Sequence, residues 1–354
     1  MDMKRSYYED LRLFDTWPKS VWIIAVATTL AVMPFVANNY VLYLVGYIAI
    51  NVIVALGLNV LVGYTGQISL GHAGFFAIGA YATVLLSNAG LPILLAMAAG
   101  GLIAAAFGFL LGLPALRLEG PYLAVVTLGF GLTVETVFAK ASVFGGATGP
   151  PVPPFSVRLL PGFSEEQNLY LLIVMVMGLS LLAIRNLIRT RVGRAFIAIR
   201  DSDVAASCAG VDLTYFKTLA FAVSAFFTGV AGGLFAFHLG QVDPTTFNLL
   251  LSILFLAMVV IGGVGSILGS ILGAVTIGIL NLKLKGLQLA DFEQIPLAGQ
   301  AIARFLDQHF METGMANIQF IVYGVILVLI MIFEPLGLYG LWIRAKRYWR
   351  TWPL

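Results

Sequence analysis

Asn59, Thr65, Gln67, Ser69 and His72 fall within one run, Gly57 to Ala80, which reads GLNVLVGYTGQISLGHAGFFAIGA and carries six glycines. Neutral polar side chains and the dipoles of broken helices can hydrogen-bond a solute's charged end at lower desolvation cost than fixed charges. Gln67, Ser69 and Gly71 precede an expected helix start, whose free N–H groups suit a carboxylate. From Lys19 to Arg117 no Asp, Glu, Lys or Arg intervenes, and the flanks Val41–Leu56 and Tyr81–Leu113 are apolar enough to lie in a bilayer. Polar groups and broken helix at membrane depth are tolerated only where they face protein or a watery path. The run therefore points to a solute crossing the membrane through this chain. The structural alternative is that Asn59 and His72 link helices by hydrogen bonds.

The elements that must hold this run in place follow from composition. The chain has 354 residues, 60% hydrophobic and 10% charged, with mean hydropathy +0.97. A soluble domain carries about 25% charged residues, so the fold class is an all-α polytopic membrane protein in a single transmembrane unit. A span needs about 20 apolar residues. Spans are predicted near 21–37, 41–62, 69–88, 91–113, 121–139, 169–188, 216–238, 247–264, 266–282 and 318–333. Glycines in the third and in the pair at 247–282 allow broken or re-entrant helices. The basic leader and first apolar run mimic a signal peptide, but closely following spans favour an uncleaved first helix.

An even number of spans puts both termini on one side. The leader 1–20, Arg117, the Arg185–Arg200 cluster and the tail 334–354 share that side, which the positive-inside rule makes cytoplasmic. Residues 140–168, with Pro150, Pro151, Pro153 and Pro154, read as an external turn or extended loop, and 283–317 as an external segment with a short amphipathic helix. Glu135 is the acid predicted inside a span, near Thr127 and Thr133. It serves either the solute path or a shallow pair with Lys140. Asp243, before Pro244, caps or anchors the next span. His72, His238 and His309 lie on separate segments without metal-ligand spacing, and the lone Cys208 excludes an internal disulfide. No metal and no cofactor is expected.

Arg191 to Lys217 reads RVGRAFIAIRDSDVAASCAGVDLTYFK, between two spans on the cytoplasmic side. Ala195, Ile199, Ala205, Ala206, Ala209 and Val211 form an apolar face opposite Arg200, Asp201 and Asp203. Ser202 or Asp201 caps a short helix that Gly210 ends. Such a helix is either a handle for another protein or an ordinary interfacial loop. This run, with GLNVLVGYTGQISLGHAGFFAIGAYA before it and LAMVVIGGVGSILGSILGAV after it, resembles the permease subunits of branched-chain amino acid ABC importers. The likeness runs from about Tyr40 to about Asn281, and Ile318–Gly340 matches the closing span.

The resemblance implies a second homologous permease, two cytoplasmic ATP-binding subunits and a periplasmic binding protein, all at a bacterial inner membrane. It also implies membrane lipid as a contact and no nucleic acid. Importers of this kind dock an E-A-A-x-x-x-G type motif on the ATPase. Here the match is Val204, Ala205, Ala206 and Gly210, with Val204 in the Glu position. The implied coupling residues are Arg200, Asp203, Ala205, Ala206 and Gly210. No phosphate-binding loop of the G-x-x-x-x-G-K-[ST] kind occurs; Gly262, Gly263 and Gly265 suit a tight break, and Gly229, Gly232 and Gly233 suit close helix packing. The chain is thus not expected to be an enzyme. An ion-coupled secondary transporter remains as the alternative, using the same polar segments without a coupling helix. A membrane enzyme lacks its clustered motifs.

Overall fold

Long apolar runs separated by glycine breaks give an all-helical chain. The computed structural model describes residues 17–115, 118, 120–160, 162–285, 324–325, 328–329, 332–334 and 336–351, and among them there is no strand. In order come α1 (Trp17–Val36), α2 (Asn39–Asn59) running into a π turn (Val60–Tyr64), α3 (His72–Asn88), α4 (Ile93–Ala115) and α5 (Pro121–Lys140). Then follow α6 (Glu165–Arg189), α7 (Arg191–Asp201), α8 (Asp203–Cys208), α9 (Leu213–Leu239), α10 (Leu249–Gly262), α11 (Ile267–Lys285) and α12 (Gly337–Thr351). The leader to residue 16, Arg117, His309 and most of 283–317 and of the predicted span 318–333 lie outside the described residues.

Among the described residues, five helices are long and apolar enough to cross a membrane: α2 with its π turn, Ile93–Pro114 of α4, α5, α6 and α9. The chain is a multi-pass membrane protein. The predicted third span and the pair at 247–282 are the shorter pieces. Helix α3 has 17 residues and α10 has 14, so at 1.5 Å per residue α10 covers only about 21 Å of an apolar layer about 30 Å thick. Residues 140–168 form two 3₁₀ turns, Ser142–Phe144 and Gly146–Thr148, and then an extended stretch through the prolines. A capping box starts α6: Gln167 N donates to Ser164 Oγ (3.3 Å) while Ser164 N donates to Gln167 Oε1 (2.9 Å).

Helix α9 is the central post, packed most heavily on α4 and α3. In hydrocarbon there is no hydrophobic drive to bring helices together, so close van der Waals contact between small residues must do it. Gly79 faces the Gly229 backbone, Gly232 faces the Phe76 carbonyl, and Gly108 of α4 lies against Ala225 and the Phe221 carbonyl. Around this seam sit Phe76, Tyr81, Phe235, Phe247 and Phe255, with Phe76 and Phe255 rings 5.3 Å apart.

A side chain at Gly79 would drive into the backbone of α9. Gly79→Val is expected to cost about 1–3 kcal/mol or more of stability, read as a lowered thermal transition of the purified permease in detergent. Gly178→Ala meets open space and is expected to leave the transition unchanged or raise it.

Candidate functional site

The polar run forms a helix break that climbs from one end of the bundle into its interior. After Asn59, α2 widens into a π turn, a distortion that recurs at functional sites. The chain then runs without helix from Gly66, at φ +72°, to Gly71. Thr65 Oγ1 and Gln67 N both donate to the Leu61 carbonyl, which takes up an acceptor freed by the break. Leu70 N donates to Thr127 Oγ1 of α5 (2.9 Å), and Ala73 N donates to Ser252 Oγ of α10 (2.9 Å). His72 is fully buried, with Nδ1 3.0 Å from Ser69 Oγ and Nε2 2.7 Å from Ser224 Oγ. Ser224 lies eleven residues into α9, about 16 Å along its axis at 1.5 Å per residue. Helix α3 therefore begins deep in the bundle, level with the middle part of α9.

A second break meets the first at the bundle end. Asn59 Nδ2 donates to the Ser266 carbonyl (3.0 Å), and Gly265 N donates to Asn59 Oδ1 (2.9 Å). One amide thus completes the α10–α11 turn, in which Gly263 and Gly265 hold φ of +124° and +77°. Arg200, at the end of α7, reaches across both breaks. Its Nη1 donates to the Gly63 carbonyl (2.7 Å), and it lies against Gly66 and Gly265, where a Cβ would collide with the guanidinium at Gly265. Helix α12 seats on the same turn through Gly337, which faces the Ile261 carbonyl and the Gly262–Gly263 backbone.

The cytoplasmic-loop run 191–217 forms two helices hinged at Ser202. Ala195, Phe196 and Ile199 of α7 are buried, and so is Ala206 of α8. Ser202 Oγ accepts from Ala205 N (3.3 Å), capping α8, and Gly210 ends it at φ +83°. Of the predicted apolar face, Ala205 and Ala209 instead point outward and Val211 is half-buried. Val204 stands 75% exposed at the tip. Asp203 forms an ion pair with Lys217 of α9. Arg200, predicted to serve a partner, is an exposed residue that also bonds the Gly63 carbonyl.

The predicted path residues Asn59, Thr65, Ser69, His72 and Thr127 all spend hydrogen bonds on the protein itself. Gln67 differs: Nε2 donates to Thr65 Oγ1 (3.2 Å), but the buried Oε1 has no partner among the described residues. Leu128, Gly131 and Leu132 of α5 and Leu249 and Ser252 of α10 flank a narrow groove floored by Leu70 and Ala73. Glu135 continues the α5 wall of that groove at i, i+3, i+4, i+7 spacing. It is half-buried and, among the described residues, bonds neither Lys140 nor Thr133. Thr133 is exposed and bonds its own helix at the Gly129 carbonyl. Asp243 caps the turn Pro244–Phe247 by accepting from Thr245 N (3.0 Å). Among the described residues no three His, Cys, Asp or Glu side chains converge. Sequence reasoning missed Ser224, Ser252 and Ser266, the partners of the break. Their signal was a hydroxyl placed in an apolar run, where it must bond to something.

Since His72 and Ser224 share one bond, their losses should not add. His72→Ala and Ser224→Ala are each expected to lower the thermal transition of the permease. The double variant should fall short of the sum by a coupling of about 0.5–3 kcal/mol.

Residues 40–333 match the family described as branched-chain amino acid transport system / permease component. The high-affinity branched-chain amino acid transport system permease protein LivM of Salmonella typhimurium is 33% identical over 348 residues, 91% of this chain and 75% of its own. LivM of Escherichia coli K12 is similar to the same extent, 33% over 348 residues. The BraD permease protein of Pseudomonas aeruginosa is 26% identical over 253 residues, 64% of this chain and 79% of its own. No solved structure matches the chain significantly. A match over most of its length, on a bundle of apolar helices broken at a buried polar run, makes this chain a member of the family of branched-chain amino acid transport permease components.

Proposed function

We propose that this chain is the permease subunit of an ABC importer, forming half of the path by which branched-chain or related amino acids enter a bacterial cell through the inner membrane. A second homologous permease closes the path. Two cytoplasmic ATP-binding subunits hydrolyse ATP, and a periplasmic binding protein delivers the solute. The observation that carries the reading is the bond from Arg200 to the Gly63 carbonyl. It ties a loop helix with an exposed apolar tip to two helix breaks inside the membrane layer.

A branched-chain amino acid is a zwitterion with an apolar side chain. The groove between α5 and α10 has apolar walls, backbone at a broken helix, and Glu135 beyond the break, and it is too tight to admit a water, so passage requires the two helices to part. Its open side is where the second permease would lie. On the loop side, Arg191, Arg194, Arg344, Lys346 and Arg347 supply the positive charge that supports a cytoplasmic face. The extended stretch carrying Pro150–Pro154 would then face the binding protein. Helix α8 offers Val204 and Ala205 to the ATPase, held at a fixed angle by the Ser202 cap, the Asp203–Lys217 pair and the Gly210 turn. The ion-coupled alternative gains nothing from the geometry, because among the described spans no second acid lies near Glu135.

Two variants separate docking from transmission in the complete importer, reconstituted in vesicles with its binding protein. Ala205→Arg, at an exposed position of the same helix, is expected to abolish ATPase stimulation and uptake together. Arg200→Ala is expected to keep ATP hydrolysis near the parent level and to cut uptake roughly 10–100-fold, the weight of one charge-assisted bond. Retained uptake in both would contradict the assignment of this loop.

A further inference from the structure

Helix α12 begins on the bundle and then leaves it. Gly337, at φ +64°, faces the Ile261 carbonyl and the Gly262–Gly263 backbone, and Tyr339 lies against Gly263. Gly340 is buried and Tyr339 and Ile343 are half-buried, so these residues mark the side that packs. From Leu341 onward another side is open. Leu341, Trp342, Ala345 and Tyr348 are exposed, at i, i+1, i+4 and i+7, which lines them up as one apolar stripe of the helix. None of the function described so far uses that stripe.

The rest of the helix is basic. Its 15 residues include Arg344, Lys346, Arg347 and Arg350 and no acid. At 3.6 residues per turn, Arg344 and Lys346 flank the apolar stripe and Arg347 lies across the helix from it. Glu334 pairs with Arg344 through both carboxylate oxygens, at 2.8 and 3.2 Å, which uses the acid nearest the helix in sequence. Lys346 and Arg347 are exposed. Outside the described residues, the leader 1–16 carries four acids and three bases, and Arg117 and Glu119 offset each other. Residues 286–317, with four acids and one base, fall on the other face in the topology read from the sequence. None of these brings an excess that cancels the helix on its own side.

A positive helix with an apolar stripe carrying Trp and Tyr is the complement of the boundary between headgroups and acyl chains in an anionic bilayer. The place fits. The α10–α11 turn on which α12 seats lies at the same end of the bundle as Arg200, and Val264 and Leu268 beside that turn are exposed and apolar. We propose that α12 lies in the headgroup layer at this end and binds anionic phospholipid. Leu341, Trp342 and Tyr348 enter the acyl boundary, and Lys346 and Arg347 meet headgroup phosphates through their flexible stems. The inference goes beyond the transport reading and needs only that the chain spans a membrane. Because the first turn of α12 packs on the Gly262–Gly263 backbone, lipid that seats the helix also steadies the turn that Asn59 completes.

The test is hydrogen–deuterium exchange of the complete importer in nanodiscs, which leave both membrane faces accessible. The discs are made of phosphatidylcholine alone or of an equal mixture with phosphatidylglycerol. Amides of residues 341–350 are expected to exchange roughly tenfold more slowly, or slower still, in the anionic discs. Lys346→Gln combined with Arg347→Gln should remove most of that difference, at about fivefold per charge, and high salt should do the same. Trp342→Gln should restore fast exchange in the anionic discs by removing the apolar anchor. Parent-like exchange across α9 shows that each variant folds. Equal exchange in the two lipids would overturn the proposal and assign the stripe to a protein neighbour. A lipid effect that survives both the double variant and high salt would overturn it as well. ATP hydrolysis stimulated by the binding protein with L-leucine, in the same discs, separates the failures. Hydrolysis without a lipid effect removes the lipid site alone, whereas a lipid effect without hydrolysis keeps the site and removes the importer reading.

Discussion

A helix interrupted inside a membrane leaves backbone N–H and C=O groups that no water is present to satisfy, and this chain interrupts two helices at one place. The carbonyl of Gly63 and the turn Gly263–Ser266 are completed by two side chains, Arg200 and Asn59. Remove those bonds and the break at residues 60–71 has no fixed shape. The start of α3, the position of His72 against Ser224 and the floor of the α5–α10 groove all depend on that shape. The demand is local, but its answer comes from 137 residues away in sequence. The structure therefore spends a charged side chain from a loop on a carbonyl inside the bundle.

That arrangement gives the molecule a rigid half and a half built to respond. The α3–α4–α9 seam is closed by glycine against backbone, with no slack for sliding. By contrast, the contacts around Arg200 are few, polar and directional. A guanidinium can leave one carbonyl for another acceptor, whereas Gly79 cannot leave Gly229 without opening the bundle. A push on α8 would thus be taken up at the breaks rather than in the packed seam. Exchange of hydrogen bonds between two discrete arrangements is how small displacements become switches.

Much of this was legible from residue types. Apolar runs of span length placed the five long helices. Glycines marked where α2, α10 and α8 end, since Gly66, Gly263 and Gly210 all take positive φ. Small residues in α9 announced close packing. The bond from Arg200 to the Gly63 carbonyl was not legible, because a long flexible side chain bonding a backbone carbonyl leaves no spacing signature. Nor were the bonds that Asn59 and His72 make to the Gly265–Ser266 turn and to Ser224, which packing brings beside them. Helix α12 was read only as a basic tail. Its apolar residues Leu338, Leu341 and Trp342 are too few for a span, and its seat on Gly263 is set by tertiary contact.

The central claim is that Arg200 fixes both helix breaks at once. Hydrogen–deuterium exchange of the intact importer, comparing the parent with Arg200→Met, measures this directly. The account predicts faster exchange at residues 63–71 and 263–266 together, with the α4–α9 seam unchanged. Unaltered exchange at both breaks, or loss of protection spread evenly through the bundle, would contradict it.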